Sequence, residues 1–166
     1  MNFIKYFLFT FAINVNIVNT FVTNAAIVII SEQVKFNDIL SVNNLPCHTQ
    51  IARVKSFESS LQKMEKINAK NLYDVYDLIG FRYVFYTKED LLKFYHHIKM
   101  EKDIYYCKNY IIEPKKNGYS AMHIRYKNEY KECPIKQLEC QLYIINDYYN
   151  ALYGTAKYYK NYTLYF

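Results

Sequence analysis

Two carboxylates stand where a folded chain would bury them. Asp77 opens the β-branched and aromatic run Leu78 to Tyr86, a pattern that predicts a buried strand. Glu139 lies inside a second such run, Gln137 to Tyr143, and Gln141 comes two residues later on the same face. A carboxylate is costly to bury unpaired. A pair on neighbouring strands suits Mg²⁺, which takes one or two carboxylates plus substrate phosphates. Salt bridges at strand ends are the other reading of the same residues. Cations accompany them. Arg53 precedes Lys55, and Lys55, Ser59 and Lys63 recur every fourth residue, one face of a helix. That set is either a phosphate cradle or a solvated basic face. Lys108 precedes the loop 113–123 (EPKKNGYSAMH). There Lys115, Asn117, Tyr119 and His123 offer phosphate donors and a ring on which a base could stack. A charged loop before a strand is the alternative.

The elements that must carry these groups are set by periodicity. Ser56 is an N-cap candidate before Phe57, Leu61, Met64 and Ile67, which recur at helical spacing. Glu89 to Met100 reads as a helix with Leu92, Tyr95 and Ile98 inward. Asn117-Gly118 marks a tight turn. Ala121 to Tyr126 and Gln137 to Tyr143 read as strands, and Asp147 to Lys160 as a closing helix in which Gly154 implies a close backbone approach. Helices mixed with strands predict an α+β or α/β sheet flanked by helices.

Residues 1–30 stand apart. Lys5 precedes the apolar run Tyr6 to Ile13, and Asn14, Asn16, Asn19, Thr20, Thr23 and Asn24 interrupt the apolar residues that follow. The stretch is read either as a signal or membrane anchor or as buried elements completing the domain. It is too polar for a plain membrane span. The second unit is residues 31–166.

With 166 residues the chain can bury one sizeable core. Three glycines, three prolines and 52% hydrophobic residues exclude disorder and collagen. The net charge of +6 lies entirely from residue 52 onward. That suits a polyanionic partner, a nucleotide or RNA, or serves solubility. Cys47, Cys107, Cys133 and Cys140 show no metal-type spacing. They are read as reduced structural thiols, which fits a cytoplasmic protein.

Read in order, these segments resemble the RelA/SpoT nucleotidyltransferase family of alarmone synthetases. ARVKSFESSLQKM from Ala52 is similar to its ATP-site signature, YDLIGFR from Tyr76 to its metal-binding strand, KNYIIEPKKNGYSAMH from Lys108 to its guanine-nucleotide loop, and LECQ from Leu138 to its catalytic strand. The resemblance runs from Ala52 to Lys160 and implies a mixed sheet of about five strands with flanking helices. It implies transfer of pyrophosphate from ATP to the 3′ hydroxyl of GDP or GTP, with release of AMP. It implies that Arg53, Lys55, Ser59 and Lys63 bind ATP, and that Asp77 and Glu139 hold Mg²⁺ and do the chemistry. It implies that Lys108, Lys115, Asn117, Tyr119 and His123 bind the acceptor, Tyr119 by stacking, and that Gln141 supports Glu139.

This sequence departs from the family pattern at identifiable points. Tyr143 stands where the family commonly has Arg, and the closing helix reads Asp147-Tyr148, Ala151-Leu152 and Tyr158-Tyr159 at its usual motif positions. No His is followed by Asp, so the family's hydrolase signature is not present. The expectation is a single-domain small synthetase, with a homo-oligomer left open. An adenine nucleotide or a tRNA 3′ end as acceptor, and a non-catalytic nucleotide or RNA binder, are the alternatives.

Overall fold

The computed structural model describes the backbone of residues 2–154 and the side chains of residues 20 and 22–154. Helix α1 (Asn2–Val42) leads into β1 (Cys47–Val54), α2 (Phe57–Ile67), a short 3₁₀ turn (Leu72–Asp74) and β2 (Ile79–Phe85). Then come α3 (Lys88–Glu101), the hairpin strands β3 (Ile104–Asn109) and β4 (Met122–Lys127), β5 (Gln137–Ile144) and α4 (Ile145–Tyr153). The five strands form one sheet in the order β1-β2-β5-β4-β3. β2 and β5 run parallel, and the other neighbours are antiparallel. The α+β mixed sheet expected from the sequence is therefore present.

Local chemistry explains the boundaries. Ser56 caps α2 by accepting from the Ser59 amide, and Thr87 caps α3 by accepting from the Asp90 amide. Asn68 closes α2 in the left-handed region at φ 52°, which asparagine tolerates. Gly118 adopts φ 78° and its amide donates to the Lys115 carbonyl. This is the tight turn that Asn117-Gly118 signals.

The sheet has two unlike faces. Phe81, Tyr83, Phe85, Ile124, Tyr126, Leu138, Cys140 and Leu142 point to one side and are buried with Phe36 of α1 and Leu91, Phe94 and Ile98 of α3. Phe36 sits edge-on to Phe81, Tyr83, Phe94 and Tyr126. The other side carries Arg53, Gly80, Arg82, Glu139, Gln141, His123 and Arg125. Among the described residues only its far end is sealed, where α4 packs Tyr148 and Ala151 on Val84, Ala121 and Tyr143.

α1 runs through the position where the sequence changes character, and Ala25 and Val28 belong to the core. Glu32 ties this helix to the sheet. It is 1% exposed and accepts from Lys102 at 2.8 Å, Tyr126 at 2.9 Å and Tyr130 at 3.3 Å. Among the described residues no helix is long and apolar enough to cross a membrane.

Some expected details differ. In α3 the buried residues are Leu91, Phe94 and Ile98, whereas Leu92 is 40% exposed. Adjacent leucines leave the phase of the apolar stripe open by one residue, and the sheet selects Leu91. In α2 Phe57 and Leu61 are exposed at 67% and 42%, and Ser60 is the buried residue. Lys55 precedes α2 rather than lying on it. Gly154 caps α4 instead of lying within a helix, and the remainder of the predicted Asp147 to Lys160 segment falls outside the described residues. The close approach at Gly154 is real, because a Cβ there would lie 2.8 Å from the Asn150 carbonyl oxygen.

Candidate active site

Register places the chemistry in two rows across the open face. Arg53, Gly80, Glu139 and Arg125 pair in one row, and Ile51, Arg82, Gln141, His123 and Lys108 in the next. A shallow cleft, open to solvent, is lined by Ile51, Arg53, Gly80, Phe81, Arg82, Glu139 and Gln141. Gly80 gives this cleft a flat floor. A Cβ there would lie 3.5 Å from Arg53 Nε, so the Arg53 side chain lies directly over the glycine.

Asp77 sits at the entry to β2, where β1 and β2 are held together by the Lys55 amide donating to the Leu78 carbonyl. Lys55 Nζ lies 3.0 Å from Asp77 Oδ2, and Lys63 Nζ 3.9 Å from the same oxygen. One lysine comes from the β1–α2 connection and the other from the second turn of α2. The two lysines meet at one carboxylate although they do not share a helix, so the salt bridge at a strand end that the sequence left open is present here. Asp77 is 8% exposed and its Oδ1 has no hydrogen-bond partner among the described residues. A buried carboxylate oxygen without a donor is a natural cation ligand. Ser59, in the first turn of α2, is held by Ser56, its Oγ accepting from Ser56 Oγ.

Glu139 is 7% exposed and fully engaged. Its Oε1 is 3.3 Å from His123 Nδ1, and its Oε2 accepts from Gln141 Nε2 at 2.7 Å. Burial pushes its carboxyl up. The His123 bond and charge, the Gln141 bond and the Arg53 charge outweigh this and pull it from 4.5 to about 2. Glu139 is thus a fixed anion. Among the described residues no three His, Cys, Asp or Glu groups converge as a metal cluster.

The residues expected to bind the acceptor divide into two sets. His123 Nε2 lies 2.6 Å from the Tyr119 hydroxyl, which lies 2.8 Å from the Tyr143 hydroxyl. Tyr143 donates to Gln141 Oε1. Tyr119 is only 2% exposed, with Tyr110, His123 and Tyr143 around its ring. A base would stack there only after the ring leaves this nest. Lys115 lies over both Tyr110 and Tyr119, at 4.5 Å and 4.9 Å from the ring centres, and Lys108 lies 5.7 Å from Tyr110. Asn117 Oδ1 accepts from the Tyr119 amide and so shapes the loop. Ser120 donates to Asp147 at 2.7 Å, which pins the loop to α4.

Sequence reasoning passed over Arg82 and Arg125. Arg82 donates to Gln141 Oε1 at 3.3 Å and stacks on Tyr143 and Tyr148. Both arginines lie in apolar runs, and the signal was the one that singled out Glu139: a charge on a strand that is otherwise buried.

Comparison with known proteins agrees with this fold. No curated protein sequence matches the chain. Among solved structures, the small alarmone synthetase 2 of Bacillus subtilis is 25% identical with a TM-score of 0.70, covering 81% of this chain and 76% of its own. The small alarmone synthetase 1 of the same organism, solved bound to its product pppGpp, is 19% identical with a TM-score of 0.65, covering 79% and 76%. A GTP pyrophosphokinase family protein from Streptococcus pneumoniae is 18% identical with a TM-score of 0.69, covering 87% and 75%. A family model described as a region found in RelA / SpoT proteins matches residues 52–163, the span that carries both carboxylates, the lysine pair and the acceptor loop. The chain belongs to the RelA/SpoT family.

Proposed function

We propose that this protein is a Mg²⁺-dependent pyrophosphokinase that transfers the β,γ-diphosphate of ATP to the 3′ hydroxyl of GDP or GTP. The observation that carries this reading is the single sheet face that presents Asp77 with its two lysines, the glycine-floored cleft and the fixed anion Glu139. The 3′ oxygen bonds to the β-phosphorus, the bond from that phosphorus to the α-phosphate bridging oxygen breaks, and AMP leaves. The hydroxyl proton passes to Glu139.

The residues have distinct tasks. Arg53 and Arg82 flank the cleft, where planar guanidinium groups pack on a purine ring. Lys55, Lys63 and Ser59 hold the phosphate chain, and Asp77 presents Oδ1 to Mg²⁺. When bound, that ion neutralises phosphate charge and polarises the reacting oxygens. Glu139 is a weak resting base because its carboxyl lies so low. That suits a loose phosphoryl-transfer transition state, in which the attacking hydroxyl keeps its proton until late. Its first task is to orient the hydroxyl, and His123 stands next to it as the neighbouring proton site. Lys108 and Lys115 lie on the acceptor side with cationic groups for its phosphates. The synthetase domain then comprises the sheet with α1 from about Ala25 onward, since that helix completes the core.

The test is incubation of the full chain with labelled ATP, Mg²⁺ and GDP, GTP, ADP or deacylated tRNA, followed by anion exchange. AMP and a guanosine tetra- or pentaphosphate are expected, and both are lost in Asp77→Asn while the chain stays folded. AMP formation only with an adenine or tRNA acceptor would reassign the acceptor. No AMP with any acceptor would refute catalysis.

A further inference from the structure

We infer that Arg125 is a phosphate-binding residue of this site, gripping the β,γ-diphosphate of the nucleoside triphosphate donor. This inference rests on the pyrophosphokinase reading above. Arg125 projects from β4 on the open face, in register with Glu139 of β5. Its guanidinium carbon lies 4.2 Å from the centre of the Tyr76 ring and 4.0 Å from that of Tyr106. Tyr76 immediately precedes Asp77, and Lys63 Nζ lies 4.4 Å from the centre of the same Tyr76 ring. The Arg125 head is therefore carried to the end of the sheet where Lys55, Lys63 and Asp77 meet.

The stacking has a chemical consequence. Contact with aromatic rings occupies the faces of a guanidinium and leaves its in-plane N–H groups available. Among the described residues no carboxylate or carbonyl accepts a hydrogen bond from Arg125, and it enters no ion pair. A cation held on aromatic contacts, half-buried and without an internal acceptor, is preorganised for an external planar fork of oxygens. Phosphate is the anion that arginine matches bidentately. The local balance agrees. Lys55 and Lys63 share the Asp77 carboxylate, Arg125 meets the same Tyr76 ring as Lys63, and the carboxylate in register with Arg125, Glu139, is already engaged by His123 and Gln141, so Arg125 remains open to an external anion. Arg53 and the purine cleft lie on the other side of Glu139, toward β1. Arg125 is thus placed at the phosphate end and away from the base.

The test separates phosphates from base. Binding of α,β-methylene ATP and of AMP, each with Mg²⁺, is measured by calorimetry on the full chain and on Arg125→Met and Arg125→Lys. One to two charge-assisted bonds correspond to a loss of about tenfold or more. The expected result for Arg125→Met is that loss for the ATP analogue with AMP affinity unchanged within about twofold. Arg125→Lys keeps the charge without the fork and should fall between. Unchanged analogue affinity, or an equal loss for both ligands, would overturn the inference, since a packing defect would act on both. If Met at this position unfolds the chain, the Lys variant decides by the same comparison. The product assay stands apart: a chain that makes no alarmone but loses only analogue affinity on Arg125 substitution refutes the proposed activity and retains this subsite.

Discussion

The strongest electrostatic statement about the site concerns Glu139, and it is testable without any substrate. Its carboxyl is drawn from 4.5 to about 2 in the folded chain. A group whose folded value is depressed contributes stability that is complete above its unfolded value and is lost as pH falls through the folded one. A shift from 4.5 to about 2 corresponds to about 3 kcal/mol at neutral pH. About 2 kcal/mol of this should vanish between pH 6 and pH 3, and nearly all by pH 2. Glu139→Gln removes the titrating group but keeps an acceptor for Gln141 and a similar shape. Urea unfolding of both proteins at intervals from pH 7 to pH 3 isolates the residue, because every other carboxylate is common to the pair. The difference in unfolding free energy between them should narrow by about 2 kcal/mol over that range. Parallel curves would refute the reasoning. They would mean that burial, which opposes ionisation, balances the His123, Gln141 and Arg53 contributions. Glu139 would then titrate near its ordinary range, and its assignment as a fixed anion would fall with it.

Named contacts give three further outcomes. Glu32→Gln leaves Lys102 with only the half-exposed Glu129, 3.4 Å away, as carboxylate partner, so denaturant titration should show a loss of about 3 kcal/mol. Gly80→Ala is tolerated by the fold, since the new methyl meets Arg53 at ordinary contact distance. It raises the floor of the cleft, so KM for ATP should increase severalfold while Tm changes by no more than a few degrees. Tyr143→Phe removes the hydroxyl that bonds both Tyr119 and Gln141 and should cost about 1–2 kcal/mol by urea unfolding.

Most of the parallel centre of this fold was legible because its residues leave little choice. β2 is buried at nearly every position and β5 likewise, so both appear as unbroken apolar runs around one or two conspicuous charges. β1 and β3 are edge strands with partly exposed positions throughout. HTQIAR and YYCKN carry no alternation, and only pairing with β2 and β4 makes them strands. α1 was obscured for a different reason. Asn and Thr interrupt its apolar positions, and its burial is fixed by Phe36 and Glu32 meeting residues that are remote in sequence. The site shows the same division. Asp77, Glu139, Gln141 and the two lysines lie in short contiguous segments. The partnership of Arg125 with Tyr76 and Tyr106 spans three segments and exists only after the sheet assembles.

Tyr143 shows how a departure from the family pattern can be compensated by its surroundings. Glu139, His123, Tyr119, Tyr143 and Gln141 form a closed hydrogen-bonded circuit. The directions around it are constrained. Gln141 uses its amide hydrogen on Glu139, and its oxygen accepts from Tyr143. Tyr143 thereby bridges Gln141 and the Tyr119 hydroxyl, and Tyr119 bridges Tyr143 and His123 Nε2. An ionised Glu139 can only accept, so Nδ1 of His123 donates to it. The circuit ties the carboxylate, through His123, Tyr119 and Tyr143, back to the glutamine that holds its other oxygen. An arginine at position 143 would remove the hydroxyl that closes this circuit. It would also bring a second cation to Arg82, which now stacks on the Tyr143 ring at 5.3 Å. In this chain the cation on that strand face is supplied by Arg82, which the tyrosine ring orients. The residue that looks least like the family pattern is thereby the one that links the carboxylate, its glutamine and the acceptor loop.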